Sequence, residues 1–344
     1  MPCILLPISK SIANRLLILQ AIHGDELMPV SDSMPDDVRI MSEAIRLLGE
    51  RREARIDLGN CGTAMRFLTA YCAQLDGKTV ILEGVERMHH RPIGQLVDAL
   101  REIGADIEYL GEEGFPPLRI KGCILDKHRI VTINNPLSTQ FVSALLLIGA
   151  NVQTDSTSPY ITLTRELIQH YTTLHNSTQR YTIEKDWSSA AFWYEYVALH
   201  GGEITLPGLS RDSLQGDKVV ADIFAHLGVH TEYTEEGIRI YRSQAILNSK
   251  FLIQNFSACP DLYPAVALTC ERLGVELYAT GVESLPLKES DRLRAVREHR
   301  TDADHRMAMA LLIAGYEVDD TACISKSYPQ FLEQFHRINT LKLQ

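Results

Sequence analysis

Six short polar clusters, each followed by a mostly apolar helix, recur along this 344-residue sequence. A helix without a polar face is expected to be buried, so the pattern strongly limits how the chain can fold. Strand-like runs, such as residues 79–82 and 237–241, lie between the helices. The repeat therefore predicts an α/β fold of two domains with three strand–helix units each. The clusters begin at Ser9, Gly59, Pro136, Lys185, Cys259 and Asp302.

A second, amphipathic helix is predicted after most of the apolar helices. The sequence has no proline- or serine-rich linker, so the polar stretch 207–217 is the predicted crossing between domains. A crossing there predicts one domain of residues 10–214 and another of residues 1–9 with 215–344. The amphipathic helices are predicted at residues 37–48, 94–103, 216–227, 288–297 and 329–338.

Composition excludes several functional classes. A net charge of −10 argues against a surface for nucleic acid or for an anionic membrane. The seven cysteines are scattered without a C-x-x-C pair, which argues against a zinc site and a disulfide framework. No apolar run is long enough to span a bilayer, and the first residues lack the pattern of a secretory signal. We expect a cytoplasmic protein without a metal.

Seven cations stand at or near predicted helix starts, where the helix dipole disfavours positive charge. A single such cation fits a solvated helix end or a surface ion pair equally well. Repeated violation of a local rule, however, is expected at a functional site. If the helix starts converge, they form a centre for multiply charged small anions. The cations are Lys10, Arg15, Arg91, Lys288, Arg292, Arg306 and Lys326.

Uncharged helix starts could join this centre. Gly62 lets the backbone approach a ligand closely at a helix N-terminus, which is a natural anion site. The sequence Ser138-Thr139-Gln140 either caps a helix or binds phosphate oxygens, and both interpretations stay open. Glu289 stands beside two cations, so in a cleft it could move a proton.

Six stretches, in order along nearly the whole chain, resemble the motif series of the 5-enolpyruvylshikimate-3-phosphate synthase family. The resemblance implies two inside-out α/β barrel domains, each built from three repeats, that close on substrate. It also implies transfer of the enolpyruvyl group of phosphoenolpyruvate to the 5-hydroxyl of shikimate 3-phosphate, with release of phosphate and without a metal or organic cofactor. That reaction is the penultimate step toward chorismate. The stretches are residues 9–15 (SKSIANR), 58–66 (LGNCGTAMR), 91–94 (RPIG), 287–293 (LKESDRL), 304–310 (DHRMAMA) and 325–329 (SKSYP).

The resemblance also implies roles for individual residues. The 10–214 domain would lie on the shikimate 3-phosphate side and the other domain on the phosphoenolpyruvate side. Asp261 would accept the proton of the attacking hydroxyl, while Glu289 and Lys10 would handle protons at the methylene carbon and the leaving group. Shikimate 3-phosphate would be held by Lys10, Ser11, Arg15, Ser138, Thr139, Gln140, Thr157, Asp261 and Lys288. Phosphoenolpyruvate would be held by Lys10, Gly62, Arg91, Gln140, Arg292, Arg306 and Lys326.

The sequence departs from the family pattern at several places. Phe67 stands where the family usually has proline, and Thr157 replaces the usual serine but keeps the hydroxyl. Stretches 50–57, 168–184 and 297–302 are shorter than in the family, which predicts missing strand or helix segments. Nearly all implied site residues are present, which favours a working enzyme. We also expect a monomer, and inhibition by glyphosate because Gly62 leaves room beside the implied phosphoenolpyruvate site. The alternatives are a UDP-N-acetylglucosamine enolpyruvyl transferase and a catalytically impaired anion-binding relative.

Overall fold

Helices and short strands are interspersed along most of the computed structural model, which describes residues 2–175, 182–242 and 250–342. This mixture of helices and strands confirms the predicted α/β class. The α-helices are α1 (Lys10–His23), α2 (Asp36–Glu50), α3 (Gly62–Ala73), α4 (Gly94–Glu102), α5 (Thr139–Leu147), α6 (Pro159–His175), α7 (Trp187–His200), α8 (Val220–Ala225), α9 (Tyr263–Leu273), α10 (Arg292–Glu298), α11 (His305–Ala314) and α12 (Phe331–Lys342). The strands are β1 (Glu53–Asp57), β2 (Thr79–Glu83), β3 (Asp106–Tyr109), β4 (Leu118–Lys121), β5 (Ile130–Thr132), β6 (Asn151–Gln153), β7 (Glu203–Pro207), β8 (Val229–Tyr233), β9 (Gly237–Arg242), β10 (Phe251–Asn255) and β11 (Glu276–Thr280). Short 3-10 helices lie at Glu86–His90, Gly216–Val219, Pro260–Leu262, Leu285–Leu287 and Ala322–Lys326.

The chain divides into two compact units. The N-terminal unit comprises residues 11–31 and 37–182, and the C-terminal unit comprises residues 1–10, 32–36 and 183–344. The predicted boundary near residue 214 is corrected to residue 182, because residues 183–214 supply α7 and β7 to the C-terminal unit. Within that unit α7 buries Trp187 and Trp193 and packs against α9 and α11. Apolar burial, rather than the polar stretch at 207–217, determines where this segment belongs.

Each unit is built around three of the six predicted apolar helices. These are α1, α3 and α5 in the N-terminal unit and α7, α9 and α11 in the C-terminal unit. Every residue of α7 from Trp187 to Ala198 is buried, including the carboxyl group of Glu195. Because such helices have no polar face, they occupy the interior of each unit. The predicted inside-out arrangement of three repeats per unit is confirmed.

Short sheets cover these interior helices. In the N-terminal unit, β1 and β2 are parallel and extend through antiparallel β4 to β3, while β5 and β6 form a separate parallel pair. In the C-terminal unit, β7, β9 and β8 form an antiparallel sheet, and β10 and β11 form a parallel pair. Burial alternates along β2 and β7, so one face of each strand meets the helices.

Two predicted helix boundaries are wrong, whereas α4 begins at Gly94 as predicted, with Ile93 as its cap residue. α10 begins at Arg292 rather than at residue 288, because the carboxylate of Asp291 caps it by accepting from the backbone N–H of Arg294 at 3.1 Å. Residues 216–227 form a 3-10 helix followed by the short α8. Of the shortened stretch 168–184, residues 176–181 lie outside the described residues.

Candidate active site

Arg292 lies at the centre of a charge cluster in the C-terminal unit. Its side chain is 1% exposed, and its Nε and Nη1 atoms are each 2.8 Å from a carboxylate oxygen, of Asp304 and Asp261 respectively. Its Nη2 atom is 3.1 Å from Glu289 Oε2. Burial disfavours the charged form, but the three carboxylates outweigh burial and raise the pKa of Arg292. The guanidinium is therefore fully charged and held from three sides.

Asp261 is the acid that joins most cations in this cluster. It lies in the 3-10 helix that leads into α9, with Oδ1 at 2.8 Å from Arg292 and 3.4 Å from Lys288 Nζ. Its Oδ2 atom accepts a hydrogen bond from Arg306 Nη2 at 2.9 Å. Burial would raise the pKa of Asp261, but Arg306, Lys288 and Arg292 together hold it well below its usual range. Asp261 is thus an ionised carboxylate at neutral pH.

Glu289 bridges two cations beside Asp261. Its Oε1 atom is 3.1 Å from Lys326 Nζ, and its Oε2 atom is 3.1 Å from Arg292 Nη2. Burial also lowers the pKa of the adjacent Lys288 ammonium. The structure therefore brings six of the predicted site residues into one network of ion pairs, namely Asp261, Lys288, Glu289, Arg292, Arg306 and Lys326.

Two further acids adjoin this network without a role predicted from the sequence. Asp304 caps α11 by accepting from the backbone N–H of Arg306 at 2.9 Å while its other oxygen binds Arg292. Its position two residues before a predicted cation was an available signal. Asp217 is buried and accepts a hydrogen bond from the hydroxyl of Ser188. Burial and then the charge of Asp261 raise the pKa of Asp217 to about 6.

Lys10 begins α1 and acts electrostatically on two buried groups of the C-terminal unit. One is Asp186, which caps α7 by accepting from the backbone N–H of Ser189 at 3.0 Å. The other is His305, whose pKa is held well below its usual range by burial and then by the charges of Lys10 and Arg306. The imidazole of His305 is therefore neutral, and neither ring nitrogen has a hydrogen-bond partner among the described residues.

Gly62 and Arg91 form a close pair in the N-terminal unit. Gly62 is the first residue of α3, and Arg91 follows a 3-10 helix with only 6% of its surface exposed. The Nη1 atom of Arg91 donates to the carbonyl oxygen of Asn60 at 3.1 Å. A Cβ atom added at Gly62 would lie 2.5 Å from the Arg91 guanidinium. Glycine is thus required for Arg91 to lie across the start of α3.

Gln140, the second residue of α5, is held at both ends of its amide. Its Nε2 atom donates to Thr63 Oγ1 at 2.9 Å, and its Oε1 atom accepts from Arg66 Nη1 at 3.0 Å. Arg66 also donates to the carbonyl oxygen of Gly62 at 3.2 Å. Arg66 belongs to the 58–66 motif but has no role predicted from the sequence. It connects the starts of α3 and α5, which carry two predicted binding residues.

Arg15 is buried without a carboxylate among its partners in the described chain. Its Nε atom donates to Thr164 Oγ1 at 2.7 Å, and its Nη2 atom donates to Ser143 Oγ at 3.2 Å. Its Nη1 atom donates to the carbonyl oxygen of Ser11 at 2.8 Å. Burial lowers the pKa of Arg15 to about 10, so the group is still charged at neutral pH. A full positive charge is therefore held by neutral partners.

The remaining predicted residues occupy varied positions. The hydroxyl of Ser138 caps α5 by accepting from the backbone N–H of Gln140 at 3.3 Å, and Thr139 is the first residue of that helix. Thr157 is exposed between β6 and α6. The N-terminal unit thus holds Ser11, Arg15, Gly62, Arg91, Ser138, Thr139, Gln140 and Thr157, and the C-terminal unit holds Lys10 with the six residues of the ion-pair network.

The prediction that cations lie at helix starts is confirmed for Lys10, Arg292 and Arg306. Of the other four, Arg15 lies in the second turn of α1, and three lie at the ends of 3-10 helices. Lys326 ends a 3-10 helix, and Lys288 and Arg91 directly follow one. The dipole at a helix C-terminus favours a cation, so these positions break no local rule. Their place in the motifs, not the dipole argument, singles them out.

Neither a metal centre nor a membrane span is found in the part of the chain that the structure describes. No group of three or more His, Cys, Asp or Glu side chains there is arranged to hold a metal ion. None of the described helices is long and apolar enough to cross a bilayer.

Comparison with known proteins gives one consistent result. Residues 3–299 and 296–335 match the model of the family described as EPSP synthase (3-phosphoshikimate 1-carboxyvinyltransferase). A 3-phosphoshikimate 1-carboxyvinyltransferase of Bacteroides fragilis is 37% identical, with 96% of this chain and 94% of that protein covered. One of Erwinia tasmaniensis is 31% identical, with 98% and 96% covered.

The fold agrees with these sequence matches. A solved EPSP synthase of Acinetobacter baumannii superposes with a TM-score of 0.67 at 18% identity, with 97% of this chain and 94% of that chain covered. The alignment with the Bacteroides protein spans 392 residues, more than the 344 of this chain, so at least 48 of its positions are gaps here. These gaps agree with the predicted shortening. The chain belongs to the EPSP synthase family.

Proposed function

We propose that this protein is a 3-phosphoshikimate 1-carboxyvinyltransferase. It transfers the enolpyruvyl group of phosphoenolpyruvate to the 5-hydroxyl of shikimate 3-phosphate and releases phosphate. Family membership supports this activity over that of a UDP-N-acetylglucosamine enolpyruvyl transferase. The observation that carries the proposal is Asp261, an ionised acid held by three cations that could also bind anionic substrates.

Two sets of residues would hold the substrates. Shikimate 3-phosphate would bind Lys10, Ser11, Arg15, Ser138, Thr139, Gln140, Thr157, Asp261 and Lys288. Phosphoenolpyruvate would bind Lys10, Gly62, Arg91, Gln140, Arg292, Arg306 and Lys326. Arginine suits both ligands because its planar fork of donors matches the oxygens of carboxylates and phosphates. No resident metal or organic cofactor takes part in the proposed chemistry.

The chemistry is addition followed by elimination. The 5-hydroxyl oxygen bonds to C2 of phosphoenolpyruvate and its proton passes to Asp261, while C3 gains a proton and a tetrahedral intermediate forms. C3 then loses a proton and the C2–O bond to phosphate breaks, with Glu289 and Lys10 handling these protons. Fixed cations stabilise the charge of the leaving phosphate without reorganising during the reaction.

The low pKa of Asp261 must rise before this acid can act as a base. In the ligand-free protein its charge is shared among Arg292, Arg306 and Lys288. Substrate oxygens that bind those cations would weaken their pull on Asp261 and raise its pKa. Substrate binding would therefore activate the base, and little hydroxyl deprotonation would occur before both ligands are in place.

Phosphate release tests the proposed activity. We expect release from phosphoenolpyruvate with shikimate 3-phosphate, none with UDP-N-acetylglucosamine, and inhibition by glyphosate. Lys10→Ala should lower turnover by orders of magnitude, whereas Lys121→Ala, at an exposed lysine of β4, should not change it. Release only with the UDP-sugar would contradict the proposal. Binding of shikimate 3-phosphate without release would identify an impaired relative.

Location and assembly are also proposed. The scattered cysteines, which form no disulfide in the described chain, and the acidic composition support a cytoplasmic setting. We propose a monomer, which size-exclusion chromatography with light scattering would test by comparing the measured mass with 38.6 kDa.

A further inference from the structure

The ring of Phe67 lies against the guanidinium of Arg15. The guanidinium carbon is 5.2 Å from the ring centroid, and the two residues are 1% and 2% exposed. The face of an aromatic ring attracts a cation, and the attraction grows when both groups are removed from water. This contact is therefore a buried cation–π pair that joins α3 to α1.

Phe67 supplies an attraction that the other partners of Arg15 do not. Those partners are hydroxyl and carbonyl oxygens, of Thr164, Ser143, Ser11 and Tyr160, which accept hydrogen bonds from the guanidinium. The ring instead attracts the positive charge without neutralising it. A carboxylate in the same place would neutralise the charge. An anion that approaches Arg15 thus meets a fixed cation with no competing negative charge among its described partners.

The N-terminal unit contains a second buried cation–π pair. The guanidinium of Arg66, which holds Gln140, lies 5.5 Å from the centroid of the Phe141 ring. Both arginines are buried and both pair with an aromatic ring. Rings therefore recur where the N-terminal unit buries a cation at predicted binding residues.

Resting on the proposed function, we propose that Phe67 is a positioning residue that sets the affinity for shikimate 3-phosphate by holding the Arg15 guanidinium in place. A side chain that is already oriented loses less conformational entropy when it binds a ligand. Because Arg15 takes no part in the proposed bond changes, its contact with Phe67 should be the same in the ground state and in the transition state. Loss of the ring should therefore weaken substrate binding without slowing the chemical step.

The test compares Phe67→Leu, which removes the ring but remains apolar, with Phe67→Tyr, which keeps a ring. For Phe67→Leu we expect the dissociation constant of shikimate 3-phosphate, measured by calorimetry, to rise roughly 2- to 30-fold. Its kcat and its KM for phosphoenolpyruvate should stay within about twofold of wild type. Phe67→Tyr should restore most of the affinity.

Phe224→Leu is the matched control for lost packing. Phe224 is fully buried in the C-terminal unit, packs on Tyr194, and has no cation over its ring in the described chain. The Phe224→Leu variant should have a lower melting temperature but an unchanged affinity for shikimate 3-phosphate. If Phe67→Leu does not fold, Phe67→Met tests the same loss of the ring.

Distinct outcomes would overturn the two proposals. Unchanged affinity in Phe67→Leu, or an equal loss in Phe224→Leu, would overturn the role of Phe67 while leaving the proposed function intact. If the wild-type protein neither binds shikimate 3-phosphate nor releases phosphate with it, the proposed function fails, and the role of Phe67 fails with it.

Discussion

Arg15 and Arg292 are buried to nearly the same extent but in opposite chemical surroundings. Arg15, in the N-terminal unit, has hydroxyls, carbonyls and the ring of Phe67 around it in the described structure. Arg292, in the C-terminal unit, contacts three carboxylates. Burial lowers the pKa of Arg15, whereas the carboxylates around Arg292 outweigh burial and raise its pKa.

The difference shows that the same residue type can be prepared for an anion in two ways. Arg15 offers its charge directly, because its partners are neutral. Arg292 offers its charge only to a ligand that displaces Asp261 or Glu289, or that shares the cation with them. The first arrangement favours affinity, whereas the second ties ligand binding to the protonation of nearby acids.

The largest expected effect is on stability, for Arg292→Met. This change leaves the carboxylates of Asp304, Asp261 and Glu289 without the cation they share. We expect the free energy of unfolding to fall by about 3–5 kcal/mol in urea titrations, the cost of breaking a buried ion pair from one side. Arg294→Met, at an exposed arginine of α10, should change it by less than about 0.5 kcal/mol. Equal losses in the two variants would show that the buried carboxylates do not depend on Arg292.

Arg15→Met should reduce stability less than Arg292→Met does and should mainly weaken substrate binding. It leaves no buried carboxylate unpaired among the described partners, so we expect a loss of stability below about 2 kcal/mol. Binding of shikimate 3-phosphate should weaken roughly 10- to 100-fold, as for a lost hydrogen bond to a charged group. Arg165→Met, at an exposed position of α6, is the control. A stability loss as large as that of Arg292→Met would contradict the comparison.

Glu195 extends the comparison to a buried acid without any partner in the described chain. Neither of its carboxylate oxygens has a hydrogen-bond partner among the described residues, and burial raises the pKa of Glu195 well above its usual range. Above about pH 4.5 the folded state therefore keeps a proton that the unfolded state releases. The free energy of unfolding falls as pH rises from there toward the raised pKa of Glu195.

Glu195→Gln removes that proton linkage. Between pH 5.5 and 7.5 we expect wild type to lose up to about 1.4 kcal/mol of stability per pH unit relative to the variant, while the carboxyl stays protonated. Urea titrations at several pH values would measure it. Glu102→Gln, at an exposed position of α4, should keep the wild-type profile. Parallel profiles for Glu195→Gln and wild type would show that Glu195 is not buried as a neutral acid.

Much of the fold could be predicted from the sequence because helix burial has a local signature. The six polar clusters correctly predict the starts of α1, α3, α5, α7, α9 and α11, since an apolar helix without a polar face is visible residue by residue. The unit boundary could not be found in this way. Whether residues 183–214 join one core or the other depends on tertiary packing of α7.

The candidate site was partly predictable for a related reason. Motifs identified Lys288, Arg292 and Arg306, and the family resemblance implied Asp261. The structure joins these four residues in one network. Asp217 was missed because its importance lies in its proximity to Asp261, which is 44 residues away along the sequence. The contact of Phe67 with Arg15 likewise joins separate helices, and no spacing within either helix reveals it.

The cap of α3 has a consequence for local motion. The helices α5, α7, α10 and α11 begin with a hydroxyl or carboxylate oxygen as acceptor, whereas α3 begins with the sulfur of Cys61, 3.4 Å from the backbone nitrogen of Ala64. Sulfur is a weak acceptor, so this first turn is the least firmly closed of the five. Its amide protons should exchange with solvent sooner than those of the other four first turns. Among these five helix starts, the first turn of α3, which contains Gly62 and lies beside Arg91, is therefore expected to open most readily.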